Sequence, residues 1–122
     1  MSMLRFIVPI VATLVAGAAH ANDAGIAAGK KTASQHCTRC HVVGDINPKG
    51  GISSTPSFQL MVNALSDWRE RFQTFHVRRP HPSVVRIEGF DYPQDPPTTV
   101  LIFLTIDDID PLVAYAETLK KD

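Results

Sequence analysis

Apolar residues recur at three- and four-residue steps over residues 24–35, which predicts an amphipathic first helix. Asn22 and Asp23 precede this run, and both residue types are favoured at a helix N-cap. The apolar face of the helix leads directly into Cys37. Gly29 lies in the interior, where glycine lowers helix stability. We therefore expect that another helix approaches the backbone closely at Gly29.

A second helical pattern lies at the end of the chain. Its N-cap is predicted at Thr105 or Asp107, and its last turn near Lys120. Its first turn is acidic and its end is basic, as the helix dipole prefers, so we assign the acids to capping rather than to catalysis. These acids are Asp107, Asp108 and Asp110. The apolar stripe of this helix comprises Leu112, Tyr115, Ala116 and Leu119.

Between these helices the periodicity is weaker. Residues 42–57 are rich in turn-forming residues and predict a loop, and residues 58–64 predict a short helix. Ser66 is the predicted N-cap of a further helix. Its aromatic residues recur at helical spacing, and we assign them to the core, including the face of any bound cofactor. They are Trp68, Phe72 and Phe75.

Two β-branched runs, residues 84–87 and 99–103, interrupt the helical pattern. A segment rich in proline and other turn residues, 92–97, separates them, and the three together predict a small β-hairpin. The predicted fold class is therefore all-α, with a hairpin insertion over residues 84–104, before the C-terminal helix.

Residues 1–21 predict an export signal. Arg5 is their only charge, residues 6–18 are largely apolar, and residues 19–21 (Ala-His-Ala) have the form of a cleavage site. An uncleaved membrane anchor is the alternative, but the apolar run has about 13 residues, against the roughly 20 that span a bilayer. The mature domain is therefore predicted over residues 22–122, in a bacterial periplasm and without membrane association.

The charge balance limits the partners. The chain of 122 residues has 12 basic and 12 acidic side chains, and loss of Arg5 with the leader leaves a net charge of about −1. This argues against a nucleic-acid partner, which requires a basic surface. About 100 residues form one small domain with a limited core. A buried cofactor would enlarge that core, so the cofactor-free chain is expected to be poorly folded.

The candidate chemistry lies in residues 37–41, Cys-Thr-Arg-Cys-His, a run typical of covalent haem attachment. Two thiols at this spacing add across the two vinyl groups of a haem, and the imidazole that follows binds the iron. The predicted cofactor is one covalent haem c. Cys37 and Cys40 are its predicted thioether residues, and His41 is the predicted proximal iron ligand.

Three other uses of a paired cysteine motif compete with this interpretation. A redox dithiol places its first cysteine at a helix N-terminus after a strand, whereas the segment before Cys37 is predicted to be helical. A structural zinc site needs further ligands, and the chain has no third cysteine. A disulfide between Cys37 and Cys40 would close too small a loop to stabilise the chain much. The haem interpretation is favoured over all three.

The order of these parts resembles that of small bacterial class I cytochromes c. The haem-attachment run is specific, while the other matching segments are individually weak but follow the family order. The matching segments are residues 28–31, 37–41, 55–58, 81–82 and 104–115. The resemblance implies that the first and last helices cross near the haem, with Gly29 meeting Tyr115. It also implies electron transfer between exported redox proteins, which would be the partners.

One position departs from the family pattern. Relatives often carry His-Pro-x-Met, whose methionine is the sixth iron ligand, whereas residues 81–84 here read His-Pro-Ser-Val. Valine cannot bind iron. His81 is named as a provisional sixth ligand, and His76, Met61 and an open site remain as alternatives. The choice matters because a methionine ligand raises the haem potential relative to two histidines.

The predicted function is that of an exported monohaem electron carrier, not an enzyme. The alternative is a five-coordinate haem protein that binds a small gas or reduces peroxide, with Arg79 or His81 as its polar distal group. A weaker hypothesis assigns the predicted hairpin to docking on a larger oxidoreductase.

Overall fold

A computed structural model describes residues 15–92 and 100–121, with side chains from Asn22 onward. The chain is mostly helical with one small sheet, which agrees with the predicted class. The four helices are α1 (Val15–His36), α2 (Phe58–Ala64), α3 (Trp68–Gln73) and α4 (Ile109–Glu117). The two strands are β1 (Val85–Ile87) and β2 (Ile102–Leu104). None of the helices in the described part of the chain has the length and apolarity needed to cross a membrane.

The first helix begins earlier than predicted. Asn22 and Asp23 lie inside α1 rather than at its N-cap, because the alanine-rich residues before them continue the helix from Val15. The first 14 residues of the predicted signal, 1–14, lie outside the described residues. Cleavage after Ala21 would leave Asn22 at the start of the remaining helix, in the position predicted for a cap.

Helices α1 and α4 pack closely against each other, and Gly29 lies at their contact. A Cβ atom on Gly29 would lie only 1.8 Å from the carbonyl oxygen of Pro111. This confirms that a neighbouring helix requires glycine here. Tyr115 lies about one turn further along α4, and its hydroxyl lies 3.5 Å from where a Cβ atom on Gly44 would be.

The core consists of two clusters. The larger one joins α1, α2, α3 and α4 through buried side chains, and it includes the predicted stripe of α4 and two of the three predicted aromatic residues. Its largest members are Phe58, Trp68, Phe72, Leu112 and Tyr115. The smaller cluster lies under the sheet and comprises Val85, Ile87, Leu104 and Ile109. Phe75 is partly buried and packs against both clusters.

The sheet is parallel, so the predicted hairpin is wrong. Val85 pairs with Ile102 and Ile87 with Leu104 in the same chain direction. The β-branched runs correctly predicted two strands, but alternation of side chains carries no information on strand direction. A parallel pair needs a crossover connection rather than a tight turn. The predicted turn-rich tip falls largely on residues 93–99, which lie outside the described residues.

Local capping sets where the later helices begin. The Ser57 hydroxyl accepts a hydrogen bond from the Leu60 backbone N–H at the start of α2. Asp67, not Ser66, is the N-cap residue of α3. Ahead of α4, the Asp108 carboxylate accepts hydrogen bonds from the backbone N–H and the hydroxyl of Thr105. Thr105 is thus the N-cap of the 3-10 turn Ile106–Asp108, whereas the N-cap residue of α4 is Asp108, so the predicted cap at Thr105 lies one short turn ahead of the α-helix.

Candidate functional site

The five-residue run lies where α1 ends. After His36 the chain tightens into a 3-10 turn, Cys37–Arg39, and the Cys37 carbonyl accepts hydrogen bonds from the backbone N–H groups of Cys40 and His41 at 3.1 and 2.9 Å. This turn brings the side chains of Cys37, Cys40 and His41 to the wall of one cavity. Residues that are close in the sequence therefore line the same cavity.

The cavity has a volume of about 500 Å³, within the roughly 300–1,000 Å³ usual for cofactor sites. Its apolar walls come from α2, α3, the sheet and α4. They include Phe58, Met61, Phe72, Phe75, Val84, Val85, Ile102, Leu104 and Leu112. Three arginines, Arg71, Arg78 and Arg79, also line the cavity, whereas no aspartate or glutamate among the described residues does so. The cavity therefore suits a large, mainly apolar group that also carries negative charge.

The ring of His41 is held by the loop that follows it. Its Nδ1 lies 2.7 Å from the carbonyl oxygen of Pro56. A carbonyl can only accept, so Nδ1 carries the proton and Nε2 keeps its lone pair. Burial lowers the pKa of His41, and the Pro56 hydrogen bond partly opposes this shift. A neutral imidazole with a free Nε2 is the form that binds a metal.

His81 is held in the same way on another part of the wall. It begins a 3-10 turn, His81–Ser83, and its Nδ1 lies 3.0 Å from the carbonyl oxygen of Arg78. Burial is the main cause that lowers its pKa, and the Arg78 hydrogen bond opposes it. The His81 and His41 rings lie 6.1 Å apart between centroids, with their planes only 5° from parallel.

The two cysteines are free thiols in a half-buried position. Burial, with a smaller effect of Cys40, raises the pKa of Cys37 to about 12. A catalytic dithiol has the opposite character, with a lowered pKa and a first cysteine at a helix N-terminus. Cys37 instead follows the C-terminal end of α1, where the helix dipole disfavours a thiolate. The arrangement does not fit a thioredoxin-like redox pair.

Asn47 supports the site, a role that the sequence did not reveal. Its amide donates to the carbonyl oxygens of Thr38 and His41, at 3.2 and 2.8 Å, and its Oδ1 accepts from the Val43 N–H at 2.8 Å. Asn47 therefore ties the loop back to the cysteine turn. The only local signal was the Asn-Pro pair, which predicts a turn but does not predict the hydrogen-bond partners of the Asn47 side chain.

Gly51 lets the same loop lie against the backbone of the run. Its φ is +74°, and a Cβ atom on it would lie 2.9 Å from the carbonyl carbon of His41. The next residue, Ile52, donates its N–H to the Cys40 carbonyl at 2.8 Å. Any larger residue at position 51 would push the loop away from His41.

The structure brings together Cys37, Cys40, His41 and His81, and it also places Met61 in the cavity wall. His76 is not among the lining residues. Comparison with protein-family models, with characterised proteins and with solved structures found no match. The chemistry of the site therefore rests on its own geometry.

His76 is buried in the protein, 5% exposed, and packs edge-on against Phe90 with ring centroids 4.7 Å apart. Its Nδ1 makes no hydrogen bond with the described residues. Burial lowers its pKa below the ordinary value of 6.5. The unfolded chain thus takes up this proton at a higher pH than the folded chain. Stability from His76 is complete above about pH 6.5 and is lost as the pH falls toward the folded-state pKa.

In the haem-loaded protein, the variant His76→Leu is expected to flatten the pH dependence of the unfolding free energy below about pH 6.5, as measured by urea titration. One proton corresponds to a slope of at most ~1.4 kcal/mol per pH unit. Leucine also removes the unpaired Nδ1, so stability at low pH should increase. An unchanged slope would mean that His76 is solvated rather than buried.

Proposed function

We propose that this chain is an exported monohaem c-type cytochrome that carries electrons between redox proteins. One observation supports this more than any other. Two thiols and an oriented imidazole, all from residues 37–41, face the same large apolar cavity. Covalent haem attachment uses these groups at this spacing.

The residues present fit a haem. Cys37 and Cys40 would hold it through thioether bonds, and His41 would bind the iron through Nε2. A bound haem supplies a one-electron couple between Fe(III) and Fe(II). The Pro56 carbonyl keeps the His41 ring in one tautomer and one orientation, which strengthens it as a ligand. The apolar walls would limit the contact of a bound iron with water.

One of the three arginines in the cavity wall would pair with a haem carboxylate. Arg71 and Arg78 are held by ion pairs to Asp67 and Glu70, each with N···O distances of 2.8 Å. Arg79 also lines the cavity but makes no hydrogen bond or ion pair with the described residues. It is the arginine whose charge is available to an incoming carboxylate, with which guanidinium forms strong paired hydrogen bonds.

Electron transfer needs a short path from the cofactor to a partner. Ile52 lines the cavity and is also 50% exposed, so one edge of the cavity reaches the surface through an apolar side chain. Electron transfer requires no nucleophile or general base among the groups around the cavity. Export through residues 1–21 would place the carrier in the periplasm, where its donor and acceptor would be other redox proteins.

The proposal is tested by producing the full chain in a bacterium that contains the machinery for haem c maturation. We expect a coloured periplasmic protein whose mass includes one haem that acid and organic solvent do not extract. We also expect a reversible one-electron titration. A colourless product with two free thiols would overturn the proposal. A product that carries haem but binds carbon monoxide would favour the gas-binding or peroxide-reducing alternative.

A further inference from the structure

We propose that His81 is the second axial ligand of the haem iron, opposite His41. This inference rests on the proposed function, because it requires a haem in the cavity. It also supplies a sixth iron ligand although residue 84, where cytochromes c of this kind often have the ligating methionine, is valine in this chain. The two histidines then hold the iron from separate segments, the end of α1 and the turn that precedes β1.

The separation of the two rings matches ligands on opposite sides of one metal ion. In a five-membered ring with bonds of about 1.33 Å, each atom lies about 1.1 Å from the ring centre. Metal–imidazole bonds of about 2.0–2.1 Å then place the centres of two opposed rings about 6.3 Å apart. The observed separation is 6.1 Å, and the planes are 5° from parallel.

Both rings also have the same polar anchoring. In each, Nδ1 faces a backbone carbonyl, that of Pro56 for His41 and that of Arg78 for His81. Nε2 of neither ring makes a hydrogen bond with the described residues. Metal-binding histidines commonly donate a hydrogen bond from Nδ1 to a carbonyl oxygen, because this bond fixes the tautomer in which Nε2 is free to bind the metal.

Aromatic residues fix both rings from the side. Phe58 packs edge-on against His41, with centroids 5.4 Å apart, and Phe75 packs edge-on against His81, at 5.2 Å. These contacts limit rotation of each imidazole. The two imidazoles are therefore held by neighbouring side chains at the separation that shared ligation of one iron would require.

The other candidates are placed less well. His76 is buried outside the cavity wall and against Phe90. Met61 does line the cavity, but it belongs to α2, whose Phe58 packs beside the His41 ring. Val84 lines the cavity and has no donor atom. Of these candidates, only His81 combines a metal-binding atom with a ring that lies parallel to that of His41 at the separation expected for two ligands of one metal ion.

The test compares His81→Ala with two controls, His76→Ala and Met61→Leu, in the haem-loaded protein. We expect the native protein and both controls to be low-spin and not to bind carbon monoxide. His81→Ala should become high-spin and bind carbon monoxide stoichiometrically, and added imidazole should restore the low-spin spectrum. A purely structural role for His81 would not be rescued by imidazole.

His81→Met provides a second measurement that retains a ligand at this position. Its midpoint potential should lie above that of the native protein, because thioether ligation favours Fe(II). If His81→Ala stays low-spin, or if Met61→Leu becomes high-spin, the inference is wrong while covalent haem still supports the carrier. If the native chain carries no covalent haem, the proposed function itself fails.

Discussion

The double variant Cys37→Ala/Cys40→Ala is expected to contain no covalently bound haem. Both thiols lie on the cavity wall beside His41, so their loss removes the attachment but leaves the imidazole in place. Any haem that still enters should be extracted by acidified organic solvent. Mass spectrometry of the denatured protein measures the change directly, and the expected loss is complete.

The conservative variant Thr38→Ser is the matched control, because it lies between the two cysteines. The Thr38 hydroxyl donates to the Ser34 carbonyl at 2.9 Å, and serine can keep that bond. This variant should carry haem like the native chain. Covalent haem in the double alanine variant would contradict the proposed attachment, since the chain has no other cysteine.

The stability of the double variant should also fall sharply. Without haem, the apolar walls of a cavity of about 500 Å³ lose their packing partner, and apolar side chains that lack contacts destabilise a folded protein. Typical domains are stable by only about 5–15 kcal/mol, so such a loss is large. We therefore expect the haem-free chain to unfold at lower denaturant and with little cooperativity.

The variant Gly29→Ala is expected to destabilise the haem-loaded protein by at least ~3 kcal/mol, the upper part of the usual range for overpacking. The added methyl group would lie 1.8 Å from the Pro111 oxygen and 2.4 Å from its carbonyl carbon. Both are backbone atoms, so no side-chain rotation can relieve the clash. Helices α1 and α4 would have to separate, and guanidinium unfolding measures the loss.

The variant Gly25→Ala is the matched control, because Gly25 also lies in α1 but does not contact α4. No atom lies within 4 Å of a Cβ at Gly25. Alanine is the better helix former, so stability should be unchanged or rise by up to ~1 kcal/mol. Equal destabilisation by both variants would contradict the close crossing of α1 and α4 at Gly29.

The proposed second ligand changes what the carrier can do. With histidine on both sides, the iron would have no open position for a gas or peroxide, and its potential would be lower than with a methionine ligand. Such a site favours electron transfer over ligand binding. The aromatic contacts and carbonyl hydrogen bonds that hold both rings would also limit rearrangement when the iron changes oxidation state.

Features that depend on neighbouring residues could be predicted from the sequence. The cap at Thr105, the helix 58–64 and the grouping of Cys37, Cys40 and His41 at one site follow from residue type and from spacing over a few positions, while haem attachment there stays a prediction. The need for glycine at position 29 also followed, because glycine within a helix has a cost that requires a reason. Its partner, Pro111, did not follow.

The features that escaped prediction join distant parts of the chain. The relative direction of β1 and β2 depends on the path of the chain between them, and the periodicity of apolar residues carries no information on that path. The carbonyls of Pro56 and Arg78 orient the two imidazoles, yet every residue has a carbonyl, so no side-chain pattern marks which ones are used. The sequence named His81 as the provisional ligand, with His76, Met61 and an open site as alternatives, and the structure places His81 and Met61 in the cavity wall but not His76. Folding brings the centroid of the His81 ring to 6.1 Å from that of His41 and buries His76 against Phe90 outside the cavity wall, because packing sets distances that spacing along the chain leaves free.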